Sequence, residues 1–439
     1  MHLRQEAVFR RRRRAAALVV LLLVAALVVA GGTLASLVRD DGPAVAQGGP
    51  GHRVAGSPKG TGRSVAPSQR PSASPSPSAS RGTQATTEGH RSDRTVLTRV
   101  DRITGAITPK SVVSSQHGIV IANNMMYSHT VTAYDARTRK LLATIPDSVD
   151  LSAFGVKGHP GISQGAPVEG AFTKDGRYAY VSNYSMYGNG FGPHGLDVCS
   201  PKDGYDASYL YRIDTTTMSV DQVIKVGAVP KYVAITPDQS KVLVTNWCDY
   251  TLSIVDRATA RQVATVKIGP MPRGIAVAPD GRTAYVTAMW TNHVYRVDLV
   301  HPPKQAPIFV SPGDRMRHLD ISPDGRWLYG VSTGDNAVSK IDTRTGKIVD
   351  TATTGAEPRS MAISPDGRAL YVVNYNEATM TKIRTSDMTP LGTVKTDIHP
   401  IGVTYVPATH SVWVACYGGS ILVFDDDTPA PADGVKSPA

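Results

Sequence analysis

One sentence is written over and over in this chain. "VPKYVAITPDQSKVLVTNW" (residues 229–247) is followed by "MPRGIAVAPDGRTAYVTAMW" (271–290), "MRHLDISPDGRWLYGVSTG" (316–334) and "EPRSMAISPDGRALYVVNY" (357–375). The turn residues Asp238, Asp280, Asp324 and Asp366 fall 42, 44 and 42 residues apart. A period of about 40–50 residues is that of propeller blades. Weaker copies begin at Pro109 and Pro167, and a last one at Pro400, giving seven openings: Pro109, Pro167, Pro230, Pro272, Met316, Pro358 and Pro400.

Each copy reads as four short strands. The "PDG" turn joins the first to the second, because Asp and Gly suit tight turns. The second strand, as in "KVLVTN", is a β-branched and aromatic run. The third resembles "LSIVD" (252–256) and the fourth "RQVATV" (261–266). Strands this apolar are buried on both faces, as packing between neighbouring blades requires. The last copy has only three strands, whereas "TVLTRVDRITGAIT" (95–108) precedes the first full one. The N-terminal stretch is therefore expected to supply the missing outer strand and close the ring, removing open edges. The predicted class is all-β: a seven-bladed propeller of four-stranded antiparallel blades over residues 95–428.

The segments "YVSN" (180–183), "LVTN" (243–246), "YVTA" (285–288) and "YVVN" (371–374) resemble the repeat of the YVTN (YncE-like) bacterial β-propeller family. The resemblance spans roughly residues 95–428 and implies the same fold. It also implies three kinds of function, since members include binding proteins, surface proteins and lactonase-type enzymes. Fold does not fix function.

The N-terminus bears on location. Residues 10–14 are five arginines, followed by 24 uncharged residues from Ala15 to Val38. At ~1.5 Å per residue this run crosses a ~30 Å hydrocarbon core. It is expected to be a transmembrane signal-anchor (15–38), with the basic segment 1–14 held in the cytoplasm and the propeller outside. The rival is a signal peptide cleaved after Ala46, giving a secreted protein. Residues 39–94 are rich in Pro, Ser, Ala and Gly and are expected to form a disordered linker of roughly 40 Å average span. Residues 429–439 are expected to be a disordered tail.

Net charge is +11, but residues 1–94 carry 14 basic and 5 acidic residues, and the remainder 33 and 31. The basic character belongs to the anchor and linker, and the chain has no recognition helix or zinc-finger spacing, so nucleic-acid binding is not expected. The three cysteines are Cys199, Cys248 and Cys416. Cys199 lies in the 185–208 insertion of blade 2 and Cys248 in the equivalent loop of blade 3, so a Cys199–Cys248 disulfide is expected in an oxidising compartment.

The residue after each opening position is Lys110, Val168, Lys231, Arg273, Arg317, Arg359 and Ile401. Five cations at the start of the innermost strand predict a basic ring around one channel mouth, an attractor for anions. The competing reading is that each pairs with a local carboxylate. The strand-end Asn183 and Asn246, with Tyr184, Trp247 and Tyr375 beside them, are further ligand-binding candidates on that face. Against this, Asn at a strand end often bonds its own backbone. Glu169 and His318 follow Val168 and Arg317 and are the candidate base and acid; an ion-paired Glu169 is the alternative. The histidines show no close ligand spacing and no haem, dinucleotide or phosphate-loop motif is present, so no metal and no cofactor is expected. These residues predict a membrane-tethered, extracytoplasmic binding module whose partner is an anionic small molecule, an envelope polymer or an envelope protein. The alternative is a lactonase-like hydrolase of a sugar-acid lactone. The Gly-rich, aromatic insertion 185–208 marks the expected contact face.

Overall fold

The computed structural model describes residues 90–184 and 198–430. The expected anchor, nearly all of the linker and the end of the tail lie outside the described residues. No helix among the described residues is long and apolar enough to cross a membrane.

Seven four-stranded antiparallel sheets form the blades. Blade 1 runs from Ser111–Ser114 to Leu141–Pro146, blade 2 from Pro167–Phe172 to Ser219–Lys225, and blade 3 from Pro230–Ile235 to Arg261–Lys267. Blade 4 runs from Pro272–Val277 to Ile308–Val310, blade 5 from Met316–Ile321 to Ile348–Thr353, and blade 6 from Pro358–Ile363 to Pro390–Lys395. Blade 7 contributes Pro400–Val406, Ser411–Cys416 and Ser420–Asp425, and its outer strand is Thr98–Thr104, paired antiparallel from Thr98↔Asp425 to Thr104↔Ser420. The first strand of every blade touches the first strands of both neighbours, including blade 7 against blade 1, so the ring is closed.

The burial of the strands follows their place in the blade. The second strand of blade 6, Ala369–Asn374, is buried throughout, whereas the outer strand Ile348–Thr353 of blade 5 is almost wholly exposed. Between blades 3 and 4, Leu243, Ile254, Ile275 and Val286 form one of several apolar seams. Each fully buried aliphatic side chain contributes about 1.5–3 kcal/mol to such a seam.

Turn chemistry repeats as faithfully as the strands. In blades 2, 3, 5 and 6 the hydroxyl of Thr173, Thr236, Ser322 or Ser364 donates to the turn carboxylate of Asp175, Asp238, Asp324 or Asp366 at 2.5–2.6 Å. The residue after that Asp takes a positive φ, which glycine adopts at no steric cost (Gly325, φ 73°).

The boundaries differ from expectation at both ends. Residues 90–94, expected in the linker, dock on the propeller: the Ser92 hydroxyl donates to Asp366 Oδ1 at 2.7 Å, and Ser92 is fully buried. The backbone nitrogen of Ala430 donates to Arg94 O, so the first tail residues are held too. Sequence composition hides this, because two or three anchoring residues do not change the average of a polar stretch. A two-stranded ribbon, Ser148–Asp150 with Ile162–Gln164, also stands between blades 1 and 2 and breaks the repeat there.

Candidate functional site

The expected ring of cations is present in position but not in exposure. Lys110, Lys231, Arg273 and Arg317 are all buried, at 3–6% exposure, and Arg359 is part-buried. The cause is local. A register shift follows the opening residue in blades 2 to 7. Bulges of this kind re-aim a side chain.

The cations separate into two sets. Lys110 of blade 1 lies 3.1 Å from Glu169 Oε1 of blade 2, and Arg273 of blade 4 lies 3.6 Å from the same oxygen. One carboxylate reached from blades 1 and 4 must sit near the ring axis. Arg317 lies between the two sets: its Nη1 meets Met289 Sδ at 3.5 Å, and it is near enough to act on the charge of both Lys110 and His318. Gly274 permits the approach of blades 4 and 5: a Cβ there would lie 2.9 Å from Arg317 O and His318 Cα. The other set faces the loops. Lys231 is enclosed by Tyr184, 3.8 Å from the ring centroid, and by Trp247, at 4.8 Å. Arg359 stacks 3.5 Å over Tyr375 and pairs with Glu357.

Several expected ligand residues are engaged by the protein itself. Tyr184 and Trp247 are buried and clasp a cation of the protein itself, a contact worth about 2 kcal/mol when desolvated. Tyr375 does the same for Arg359 and stacks on His399. Asn246 is fully buried; its Oδ1 accepts from Gly227 N, and its amide nitrogen donates to Thr251 and Ser253. Asn183, with its amide turned to donate, meets both carboxylate oxygens of Asp147 at 2.8 Å. These amides fasten loops and do not face the channel. Cys199 and Cys248 are joined in a disulfide, and Cys416 is a buried free thiol.

Below the inner cations a cavity of about 330 Å³ runs down the axis, lined by inner-strand residues that include Glu169, Tyr232, His318, Asp320 and Tyr405. Tyr232 Oη lies 3.4 Å from His318 Nε2 with the rings edge to face, and His318 Nε2 is 4.0 Å from Asp320 Oδ2. Tyr232 and Asp320 were missed in the sequence. Their signal was there to find: Asp320 is an acid inside a strand position held by Ala234, Ala276 and Ala362 in neighbouring copies.

The electrostatics of this channel are set by burial. Burial, reinforced by Arg273 and Arg317 and opposed by Glu169, holds the Lys110 ammonium down at about 7. Burial and the nearby Arg273, Lys110 and Arg317 push His318 down to about 3, so it is neutral at physiological pH. Burial raises the Asp320 carboxyl to about 8; its Oδ2 makes no hydrogen bond to any described residue, although the side chain as a whole is 24% exposed to the cavity. Tyr232 is held well above the usual phenol range, first by burial.

A pH prediction follows with a definite sign. Folded Asp320 keeps a proton that the unfolded chain releases near pH 4, so its contribution to stability is lost as pH rises from about 4 through about 8. Asp320→Asn is expected to match the wild type at pH 4 and to exceed it by roughly 2–4 kcal/mol at pH 8.5. Urea titrations at the two pH values measure this, and equal denaturation midpoints at pH 8.5 would refute the assignment.

A family model described as lactonase, 7-bladed beta-propeller, matches residues 251–399, about a third of the chain. The matched stretch holds Arg273, Arg317, His318 and Asp320 but not Lys110, Glu169 or Tyr232. No curated protein matches the sequence. Among solved structures, Kuenenia stuttgartiensis hydrazine synthase is similar, with a TM-score of 0.57 and 18% identity over 73% of this chain and 96% of that one. At that identity the likeness is one of fold.

Proposed function

We propose that the axial channel binds a small anion, a carboxylate or phosphate ester, through Lys110, Arg273 and Arg317, in a propeller carried outside the cell on an N-terminal membrane anchor. The observation that supports this is the imbalance of buried charge. Lys110 and Arg273, from blades 1 and 4, both reach Glu169 Oε1, at 3.1 and 3.6 Å, and Arg317 is near enough to act on the charge of Lys110. Burying like charges together is costly unless a counter-charge completes the set. Arginine presents paired donors that suit a carboxylate or phosphate. An envelope location fits the disulfide, since such bonds persist in oxidising compartments.

In the full chain, Arg273→Ala is expected to weaken the best anion of a panel of sugar acids, their lactones and phosphate esters by about 30-fold or more, ~2 kcal/mol. Affinity should also fall, on the order of tenfold, as pH rises through about 7 and Lys110 loses its proton. Calorimetry across the panel checks both; unchanged affinity in Arg273→Ala would sink the reading.

A second reading is hydrolysis of a sugar-acid lactone. It is supported by the lactonase family match and by the placement of Glu169, neutral His318 and protonated Asp320 around one cavity. A base, an acid and a cationic clamp for the carbonyl oxygen are what ring opening by water requires. Glu169→Gln separates the two readings. It should tighten anion binding if the channel only binds, and it should abolish turnover if Glu169 is the base.

A further inference from the structure

Where the N-terminal segment meets the last blade, three side chains with metal-ligating chemistry converge. His90 Nδ1 lies 3.0 Å and His410 Nδ1 2.6 Å from the same oxygen, Oδ1 of Asp427. The two imidazoles stack with centroids 4.2 Å apart and planes at 22°. One ligand atom from each residue lies within 4.8 Å of the others. The three come from distant parts of the chain: the segment entering the propeller, the turn between the first two strands of blade 7, and the residues after its third strand. No spacing in the sequence could announce them, because ring closure alone brings 90 beside 410 and 427.

We propose that His90, His410 and Asp427 bind one divalent transition-metal ion, of the class that prefers imidazole nitrogen with one carboxylate. Two imidazoles select Zn²⁺, Cu²⁺ or Ni²⁺ over Ca²⁺ and Mg²⁺, which prefer all-oxygen cages. The supporting contacts fit ligation through Nδ1. With Nδ1 on the ion, Nε2 of His90 carries the proton and donates to Tyr405 Oη, 3.1 Å away. Buried Asp426 lies behind it, its Oδ2 3.9 Å from the same nitrogen. Such outer partners fix the tautomer and aim of a ligating histidine. His410 is held at φ 43° as the cap of a short 3₁₀ turn, Pro407–Thr409, which fixes its ring over His90. The exposure rises from 16% at His90 to 39% at His410 and 54% at Asp427, so the remaining coordination positions open to water. A bound ion would tie the incoming segment to blade 7 and clip the seam of the ring.

The test uses the full chain, stripped with chelator and free of any affinity tag. Zn²⁺ is titrated by calorimetry and Cu²⁺ by electron paramagnetic resonance. The expected result is one equivalent of Zn²⁺, a rise in melting temperature, and a Cu²⁺ spectrum with two nitrogen ligands. His410→Asn removes the imidazole but keeps a residue that tolerates the left-handed backbone; it should lower Zn²⁺ affinity at least tenfold and leave one nitrogen in the Cu²⁺ spectrum. His90→Gln should do the same and guards against a folding defect at the turn. Equal binding by wild type and both variants, or no binding tighter than about 100 µM (−5.5 kcal/mol on the usual conversion), overturns the site.

Discussion

Asp426→Ala is expected to cost about 3–5 kcal/mol and to lower the melting temperature by on the order of 10 °C. Asp426 is fully buried, and its Oδ1 lies 2.5 Å from the ammonium of Lys382, which is itself 2% exposed. Tyr371 Oη donates to its Oδ2, and the Thr95 hydroxyl donates to Oδ1 at 3.0 Å. Lys382 also donates to the carbonyl of Thr95 at 2.8 Å. One carboxylate thus joins blade 6, blade 7 and the N-terminal segment. Removing it leaves a buried cation with its main counter-charge gone, and the cost of that exceeds the net worth of the pair. The double change Asp426→Leu with Lys382→Met should therefore recover much of the loss, since well-packed apolar replacements of buried pairs are often neutral. Chemical denaturation of the three variants measures this. A loss below about 1 kcal/mol in the single variant would show that the network is not what holds the seam.

The second large effect is expected from the disulfide. Replacing Cys199 and Cys248 together by serine opens a loop of 49 residues, which chain entropy values at about 4 kcal/mol. The bridge sits in an apolar cluster with Tyr184, Trp247 and Met125, and Tyr250 Oη donates to Cys199 O at 2.9 Å. Tyr184 and Trp247 are the rings that enclose Lys231. Loss of the bridge should thus loosen the cation cage as well as the loops, and a red shift in tryptophan emission would report it. Reductant should reproduce the effect in the wild type, with Cys416 contributing nothing because it is fully buried. Indistinguishable unfolding curves with and without reductant would contradict the entropic account.

The architecture was legible because a propeller repeats its instructions. Pro272, Asp280 and Gly281 recur with their neighbours at fixed offsets, and a ring of like units follows from spacing alone. The missing fourth strand of blade 7 could be counted as a vacancy and Thr98–Thr104 assigned to it. The sequence singles out residues of the channel but not their surroundings. Lys110, Arg273, Arg317, Glu169 and His318 were singled out, yet they were expected at an open mouth. In blades 2 to 7 a register shift after the opening residue re-aims these side chains, and no residue type announces a bulge. The aromatics are ambiguous for a related reason. A Trp or Tyr beside a cation reads equally as a sugar platform or as a lid on that cation, and the sequence does not show that Lys231 lies 3.8 Å from the Tyr184 ring. The His90–His410–Asp427 cluster lay beyond sequence reading altogether, being a product of closure.

The same closure has a consequence in time. Thr98 pairs with Asp425, so roughly 300 residues must be made after the first strand before its partner exists. At about 5–20 residues per second that interval is roughly 15–65 s. Throughout it, a strand lies idle near the start of the chain. When blade 7 emerges, its third strand presents an unpaired edge to whatever strand arrives first. The first strand of a second copy would fit as well as its own. The strand of the same chain is favoured by its high effective concentration, and once it docks Thr95 is held by Lys382 and Asp426. Variants that weaken the seam are expected to populate dimers during refolding at high concentration before they lose the folded monomer, which size-exclusion chromatography would show.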